Sequence, residues 1–289
     1  MDQSWGRFNN AMQLSCLAIA DRNERKVRII GSATYLLPGV FATARHMLED
    51  YLETHMGRVG PAIDTFKGTS SFEIDLLHIL KEGAIAWKIR EARLFTDADI
   101  VLLVTDKYDL IPDSLSSLEF NDFPYITINL HPPRPDSKIT CLGFPNTQNI
   151  RLDGVRSEHH LELHSTTGKA REVHQKAPMA GQLALETNTP LMGGMSGGPS
   201  FNEKGELFAI NSASFDPSAD HDFYTSYHSM LTHMVGINFT APFETGPKTT
   251  SLFQLAEEGF IQIKGIEHLE FTSSGFVWHN DLTCADCPA

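Results

Sequence analysis

A chain of 289 residues, 41% hydrophobic and 20% charged, has the composition of an ordinary globular protein and the length of one large domain or two compact ones. Its formal net charge of −13 argues against a broad nucleic-acid-binding face and against attraction to anionic membranes. The uninterrupted apolar run Cys16 to Ala20 is shorter than a signal-peptide core or a membrane span requires. Of the 4 cysteines, Cys284 and Cys287 sit near the chain end, and Cys16 and Cys141 suggest no disulfide framework, which points to a reducing, cytoplasmic compartment.

In chain order, Val27 to Leu37 reads as a strand, Pro38-Gly39 as a tight turn, and Val40 to Ala44 as a returning strand that delivers His46. Met47 to His55 reads as a short helix. Phe72, Ile74 and Leu76 alternate with Glu73 and Asp75 at the period of a strand, and Ile85 to Leu94 and Ile100 to Val104 follow as further strands. Asp109 to Pro124 lacks periodicity and holds Pro112 and Pro124, the pattern of a linker. Beyond it, Ile126, Ile128 and Leu130 alternate again, three prolines at 132, 133 and 135 stop that strand, and Ile139 to Leu142 starts another. One helix is expected late in the chain, where Ser251 and Gln254 form a capping box and Gly259 a stop. The alternating segment Phe260 to Ile266 follows it. Short strands broken by turn signals indicate an all-β sandwich or barrel.

Acyl transfer to a serine needs a base beside the hydroxyl, a carboxylate orienting the base, and backbone N–H groups aimed at the developing oxyanion. Gly194-Met195-Ser196-Gly197-Gly198-Pro199 offers a hydroxyl and such N–H groups on Gly194 and Ser196. The same letters fit a plain glycine-rich turn, or the G-x-S-x-G elbow of an α/β-hydrolase-type esterase. The elbow needs a helix directly after the serine, whereas Pro199 and Asn202-Glu203-Lys204-Gly205 read as a hairpin.

Two upstream motifs join this one. Ala42-Thr43-Ala44-Arg45-His46 and Asp99-Ile100-Val101-Leu102-Leu103 resemble the T-A-x-H and D-I-x-L-L motifs of the trypsin-like (chymotrypsin-fold) serine peptidases, in the family's order His, Asp, Ser. Gly31 to Leu37, Leu142-Gly143-Phe144-Pro145 and Gly205 to Ser214 extend the likeness over about residues 14 to 240, and the chain resembles an intracellular, bacterial member of that family. The resemblance implies two six-stranded-type antiparallel β-barrels with a C-terminal helix and short appendage. Residues 14–110 would form an N-terminal barrel carrying His46 and Asp99, 111–124 a linker, 125–245 a C-terminal barrel carrying Ser196, and 246–289 a helix and tail. It implies a serine endopeptidase with His46, Asp99 and Ser196 as its triad, Gly194 and Ser196 as its oxyanion hole, and Pro190, Ser212, Ala213 and Ser214 around its substrate. Its partners would be a protein or peptide substrate and a regulatory protein, with no cofactor and no metal in the site. Asp97, two residues from Asp99, is an alternative carboxylate.

The chain departs from the family at three places. Met195 stands where trypsins matured from a zymogen carry the aspartate that pairs with a new N-terminus, so that ion pair is excluded; Arg28-Ile29-Ile30-Gly31 resembles an activation site but lies within a strand. Pro190 stands where trypsin's pocket has its acid, which removes the basis for a lysine or arginine preference. Ser214, where many relatives have glycine, narrows the pocket. A rival from another class is a binding module on a protease fold with a blocked triad. Weaker signals are His160, Glu162 and His164, alternating as if on one strand face, and His279 with Cys284 and Cys287 as partial zinc ligands; a solvated strand and a mobile tail with reduced thiols account for them as well.

Overall fold

The structure is a computed structural model that describes residues 15–23, 26–56, 65–67, 74–80, 83–95, 98–111, 126–145, 148–152, 156–177, 183–217, 224–243, 246–272 and 275–278. The first half contains β1 (Cys16–Asn23), β2 (Lys26–Leu37), β3 (Val40–Thr43), helix α1 (Arg45–Met56), β4 (Thr65–Lys67), β5 (Ile74–Leu80), β6 (Gly83–Leu94) and β7 (Val101–Ile111). The second contains β8 (Thr127–Asn129), β9 (Lys138–Gly143), β10 (Gln148–Leu152), β11 (Arg156–His160), β12 (His164–His174), β13 (Ala184–Thr187), β14 (Pro199–Phe201), β15 (Leu207–Phe215) and β16 (Thr225–Met230). Then follow β17 (Phe239–Phe243), β18 (Gly246–Thr250), α2 (Leu252–Glu257), β19 (Gln262–Lys264), β20 (Leu269–Thr272) and β21 (Gly275–Trp278).

Both barrels close. In the first, β6, β5, β1, β2, β3 and β7 are neighbours in that order and β7 pairs back onto β6, with β4 added at the β6 edge. In the second, β14, β9, β12, β13, β16 and β15 are neighbours and β15 pairs back onto β14. All twelve ring pairings are antiparallel. Closure leaves no ring edge unpaired, and register shifts in β1, β2, β6 and β15 supply the local bends that a small barrel needs. The Pro38-Gly39 turn between β2 and β3 is as expected, with Gly39 at φ 76.

The first barrel is filled by an aromatic cluster. Tyr35, Phe41 and Trp87 are buried and pack edge-on, and the Trp87 indole donates to Nδ1 of buried His78 at 3.0 Å. The second barrel is filled by Ile139, Cys141, Leu185, Met195, Phe208 and Met230. A further set of apolar residues from both barrels, including Leu142, Phe144, Phe201 and Ile210, is continuous with the first core and seals the seam.

The C-terminal segment is integral to the fold. Ser251 caps α2 by accepting from the Gln254 N–H, Gly259 ends the helix at φ 80, and Leu252 and Leu255 are buried in the main core. Beyond it, β19 lies parallel to β8, which itself lies parallel to β15, so the second barrel carries two strands outside its ring. No helix among the described residues is long and apolar enough to cross a membrane.

The alternation of His160, Glu162 and His164 does not come from one strand. His160 ends β11 in a separate hairpin with β10, while His164 begins β12, which pairs with β9. Leu161 and Leu163 in the connection pack on the core, and that packing produces the alternation. Nearly all of the expected linker, together with Asp97, His279, Cys284 and Cys287, lies outside the described residues.

A buried polar network crosses the second barrel. His228, Ser200, Thr187 and Asn211 are wholly buried; the Ser200 hydroxyl donates to Asn211 Oδ1 at 2.8 Å and lies 2.8 Å from His228 Nδ1, and Thr187 Oγ1 lies 2.9 Å from His228 Nε2. Burial pushes the His228 pKa down to about 3 from an ordinary 6.5, so the imidazole is neutral in the folded chain over that interval and charged in the unfolded one. The stability it contributes is complete above pH 6.5 and is lost as pH falls from 6.5 toward 3. Urea unfolding of the Ser196→Ala chain should show this loss. His228→Gln in that background should flatten the slope by up to about 1.4 kcal/mol per pH unit, the value for one proton; an unchanged slope would show that the fold does not select the neutral imidazole.

Candidate active site

Helix α1 begins at Arg45, so His46 sits in its first turn, two residues earlier than the local pattern of Met47 to His55 suggests. The reason is Asp99. The first N–H groups of a helix have no partner within it, and Asp99 Oδ1 accepts from the His46 N–H at 2.9 Å, a carboxylate placed where the helix dipole favours one. The other oxygen, Oδ2, holds His46 Nδ1 at 2.8 Å. One carboxylate thus fixes both the backbone and the ring of a single residue. Arg45 braces the same corner, bonding to the Phe95 carbonyl and, at 2.7 Å, to Glu49.

Asp99 is mostly buried, and His46 is more open, with 40% of its side chain exposed. Burial alone would lower the His46 pKa; the hydrogen bond and charge of Asp99, with Asp50 and Glu49 behind them, outweigh it and leave the pKa above the ordinary 6.5. Burial likewise favours a protonated Asp99, but His46, the Ser212 hydroxyl and the His46 N–H together hold its carboxyl below the usual range.

Ser212 reaches Asp99 from the second barrel: its hydroxyl donates to Oδ2 at 2.5 Å, and its carbonyl accepts from the Ser196 hydroxyl at 3.2 Å. The four residues therefore converge, with Ser212 the contact between the barrels at this point.

The Ser196 loop is held by the first barrel. The Ser32 N–H donates to the Ser196 carbonyl at 3.0 Å, the Ser32 hydroxyl to the Gly194 carbonyl at 2.8 Å, and the Thr34 hydroxyl to the Gly197 carbonyl at 2.9 Å. From the second barrel, Asn211 Nδ2 donates to the carbonyls of Leu142 and Met195. With the loop's carbonyls so engaged, the N–H groups of Gly194 and Ser196 have no acceptor among the described residues. Two adjacent, unspent donors on a fixed loop can bind a developing oxyanion. Met195 is buried in the second core, an apolar plug where an activatable relative would place a charge.

Three segments flank the loop at 189–193, 212–214 and 225–228. Pro190 is half-buried, Ala213 faces Tyr227 across the β15–β16 ladder, and the Ser214 and Ser226 hydroxyls are 2.8 Å apart, with Ser226 also bonded to the Thr189 carbonyl at 2.5 Å. None of these segments carries an acid, lysine or arginine. Ser212, expected beside the substrate, also donates its hydroxyl to Asp99; Ser32, Thr34 and Asn211 have no part in the sequence reading, and no local pattern marks them.

Among the described residues, the buried Ser200 and both described cysteines are closed off as rival nucleophiles. The Ser200 and His228 pair is sealed in the barrel, and burial pushes the Cys141 thiol up to about 12 and raises that of Cys16 as well. Strand β14, not a helix, follows Ser196, and both six-stranded rings are antiparallel, which excludes the α/β-hydrolase elbow.

Paired six-stranded barrels with a serine loop clamped at their seam and a His–Asp pair beside it define the chymotrypsin class of fold. Residues 29–210, more than half of the chain, match the trypsin-like peptidase domain, and the chain belongs to that family. Among solved structures it is similar to the active form of the Rv3671c protease from M. tuberculosis, at 14% identity and a TM-score of 0.45 over 76% of this chain and 77% of that one. The inactive form of the same protease gives 13% identity and a TM-score of 0.44 over 76% and 85%. No curated protein matches the chain.

Two neighbouring glycines test the loop. Gly197 has φ 84, and a Cβ there would lie 2.1 Å from Thr43 Oγ1 and 2.2 Å from the Ser32 carbonyl; a Cβ on Gly193 would meet nothing within 4 Å. Gly197→Ala should cost about 2 to 6 kcal/mol, from strain and overpacking combined, whereas Gly193→Ala should melt with the parent. Equal melting temperatures for the two variants would contradict the clamp.

Proposed function

We propose that this protein is a serine endopeptidase of protein or peptide substrates, with Ser196 as nucleophile, His46 as general base and acid, and Asp99 as the group that orients His46. The observation that carries the reading is the double grip of Asp99 on His46, with the unspent N–H groups of Gly194 and Ser196 beside the hydroxyl. In this scheme the Ser196 proton leaves the Ser212 carbonyl and passes to His46 Nε2 as Oγ attacks the scissile carbonyl. The Gly194 and Ser196 N–H groups take up the negative charge on the carbonyl oxygen, and Asp99 stabilises the imidazolium that forms. His46 then protonates the departing amine, leaving an acyl-enzyme, and the same base activates water to release the acid.

Residues 14–110 and 125–245 act as two barrel domains joined by 111–124, with 246–289 as the C-terminal part. Pro190, Ser212, Ala213 and Ser214 line the substrate strand and its pocket, and the uncharged walls speak against selection of lysine or arginine. The free, buried thiols of Cys16 and Cys141 fit a reducing, cytoplasmic setting, where a regulatory protein partner would take the place of the ion pair that Met195 precludes. A second reading, a binding module with an idle triad, is favoured by one feature: the Ser196 hydroxyl donates to the Ser212 carbonyl.

A serine-directed fluorophosphonate separates the two. Labelling at Ser196 of the full chain supports the peptidase, and no labelling supports the binding module. Ser196→Ala should lower kcat/KM on a cleaved peptide by about three to six orders of magnitude. The acid limb of kcat/KM should show an apparent pKa above 6.5, because the base works only when neutral and His46 holds its proton more tightly than a free imidazole. A limb at or below 6.5 would separate the activity from His46.

A further inference from the structure

Outside the site described above, three ligand-type side chains meet where the C-terminal segment joins the second barrel. The parallel pair of β19 and β8 ends with Lys264 opposite Asn129 and the Leu130 N–H bonded to the Lys264 carbonyl at 2.9 Å. This register sets Gly265 against His131. Gly265 has φ 82, which a side chain would strain, and a Cβ there would lie 3.1 Å from two atoms of the His131 ring. The left-handed turn sends the chain into a 3-10 turn, Ile266–His268, that brings Glu267 and His268 back to His131.

The His131 and His268 rings are 5.0 Å apart between centroids and inclined by 63°, and His268 Nε2 lies 3.5 Å from a Glu267 carboxylate oxygen. One nitrogen of each imidazole and one oxygen of Glu267 all fall within 4.8 Å of one another. We propose that His131, Glu267 and His268 form a divalent-cation site of the zinc class that pins the C-terminal segment to the second barrel.

Two imidazoles and a carboxylate suit zinc or cobalt, while calcium and magnesium require more oxygen ligands than are gathered here. Bonds of about 2.0 to 2.1 Å at tetrahedral angles put ligand atoms about 3.3 to 3.4 Å apart. Reaching that from 4.8 Å takes small torsions, which the largely exposed Glu267 side chain permits. Both imidazoles must be neutral to bind. A cavity of about 550 Å³ borders His131, Gly265 and Glu267 and gives an ion a path from solvent. Residues 131 and 268 belong to different elements of the second half, so a bridging ion would stabilise the folded chain over the unfolded one.

The test uses the full chain with Ser196→Ala to prevent self-cleavage and Cys284→Ser with Cys287→Ser to remove the competing thiols. Cobalt(II) should bind at one equivalent, with the visible bands of a four-coordinate nitrogen–oxygen site, and zinc should raise the melting temperature. His131→Gln in that background should weaken cobalt binding at least about tenfold, the lower end of what loss of even a supporting partner costs a metal site, and should remove the zinc-dependent rise. Glu267→Gln, on an exposed side chain, should weaken binding likewise if His131→Gln fails to fold. Absence of cobalt binding in the parent, or an affinity unchanged in the folded variants, would overturn the proposal.

Discussion

The site depends on one carboxylate with three donors. Asp99 gives Oδ1 to the backbone of His46 and Oδ2 to its imidazole and to the Ser212 hydroxyl. The first bond fixes where α1 starts, the second fixes the ring, and the third ties the first barrel to the second. A carboxylate moved out of water keeps its charge only when such donors replace its hydration. The stability of that corner and the basicity of His46 therefore have a common origin, because the charge that Asp99 retains is what holds the proton on the ring.

The seam around this corner is polar where the chain must be positioned and apolar where it must be sealed. Ser32 and Thr34 on β2 hold the carbonyls of Gly194, Ser196 and Gly197 in the serine loop by hydrogen bonds, and Gly197 and Gly198 bring the backbone closer than any side chain would allow. Met195 then fills the second barrel from the same loop. A loop fixed by its own neighbours in this way does not wait for a new N-terminus to order it. That agrees with the lack of an aspartate at position 195.

How much of this the sequence disclosed follows from the range of each interaction. His46, Asp99 and Ser196 stand in short motifs whose letters carry their own chemistry. The Pro38-Gly39 turn, the cap at Ser251 and the stop at Gly259 are local in the same sense. The start of α1 was misplaced by two residues because its cap lies 53 positions away. The strand reading of His160 to His164 failed because alternation at two leucines mimics a strand where the chain passes between sheets. Ser32 and Gly194 are 162 positions apart, and Ser212 and Asp99 are 113 apart; no periodicity reports such pairs.

The His46, Asp99 and Ser196 motifs, the all-β class, and the uncharged Met195 and Pro190 were determined by the sequence itself, since each rests on the identity of residues at one place. Closure of the two barrels, the clamp of β2 on the serine loop, the role of Ser212 at Asp99, and the return of β19 to β8 were decided only in the tertiary structure. These depend on hydrogen bonds and close approaches between segments far apart in the chain, and such contacts exist only once both barrels have formed.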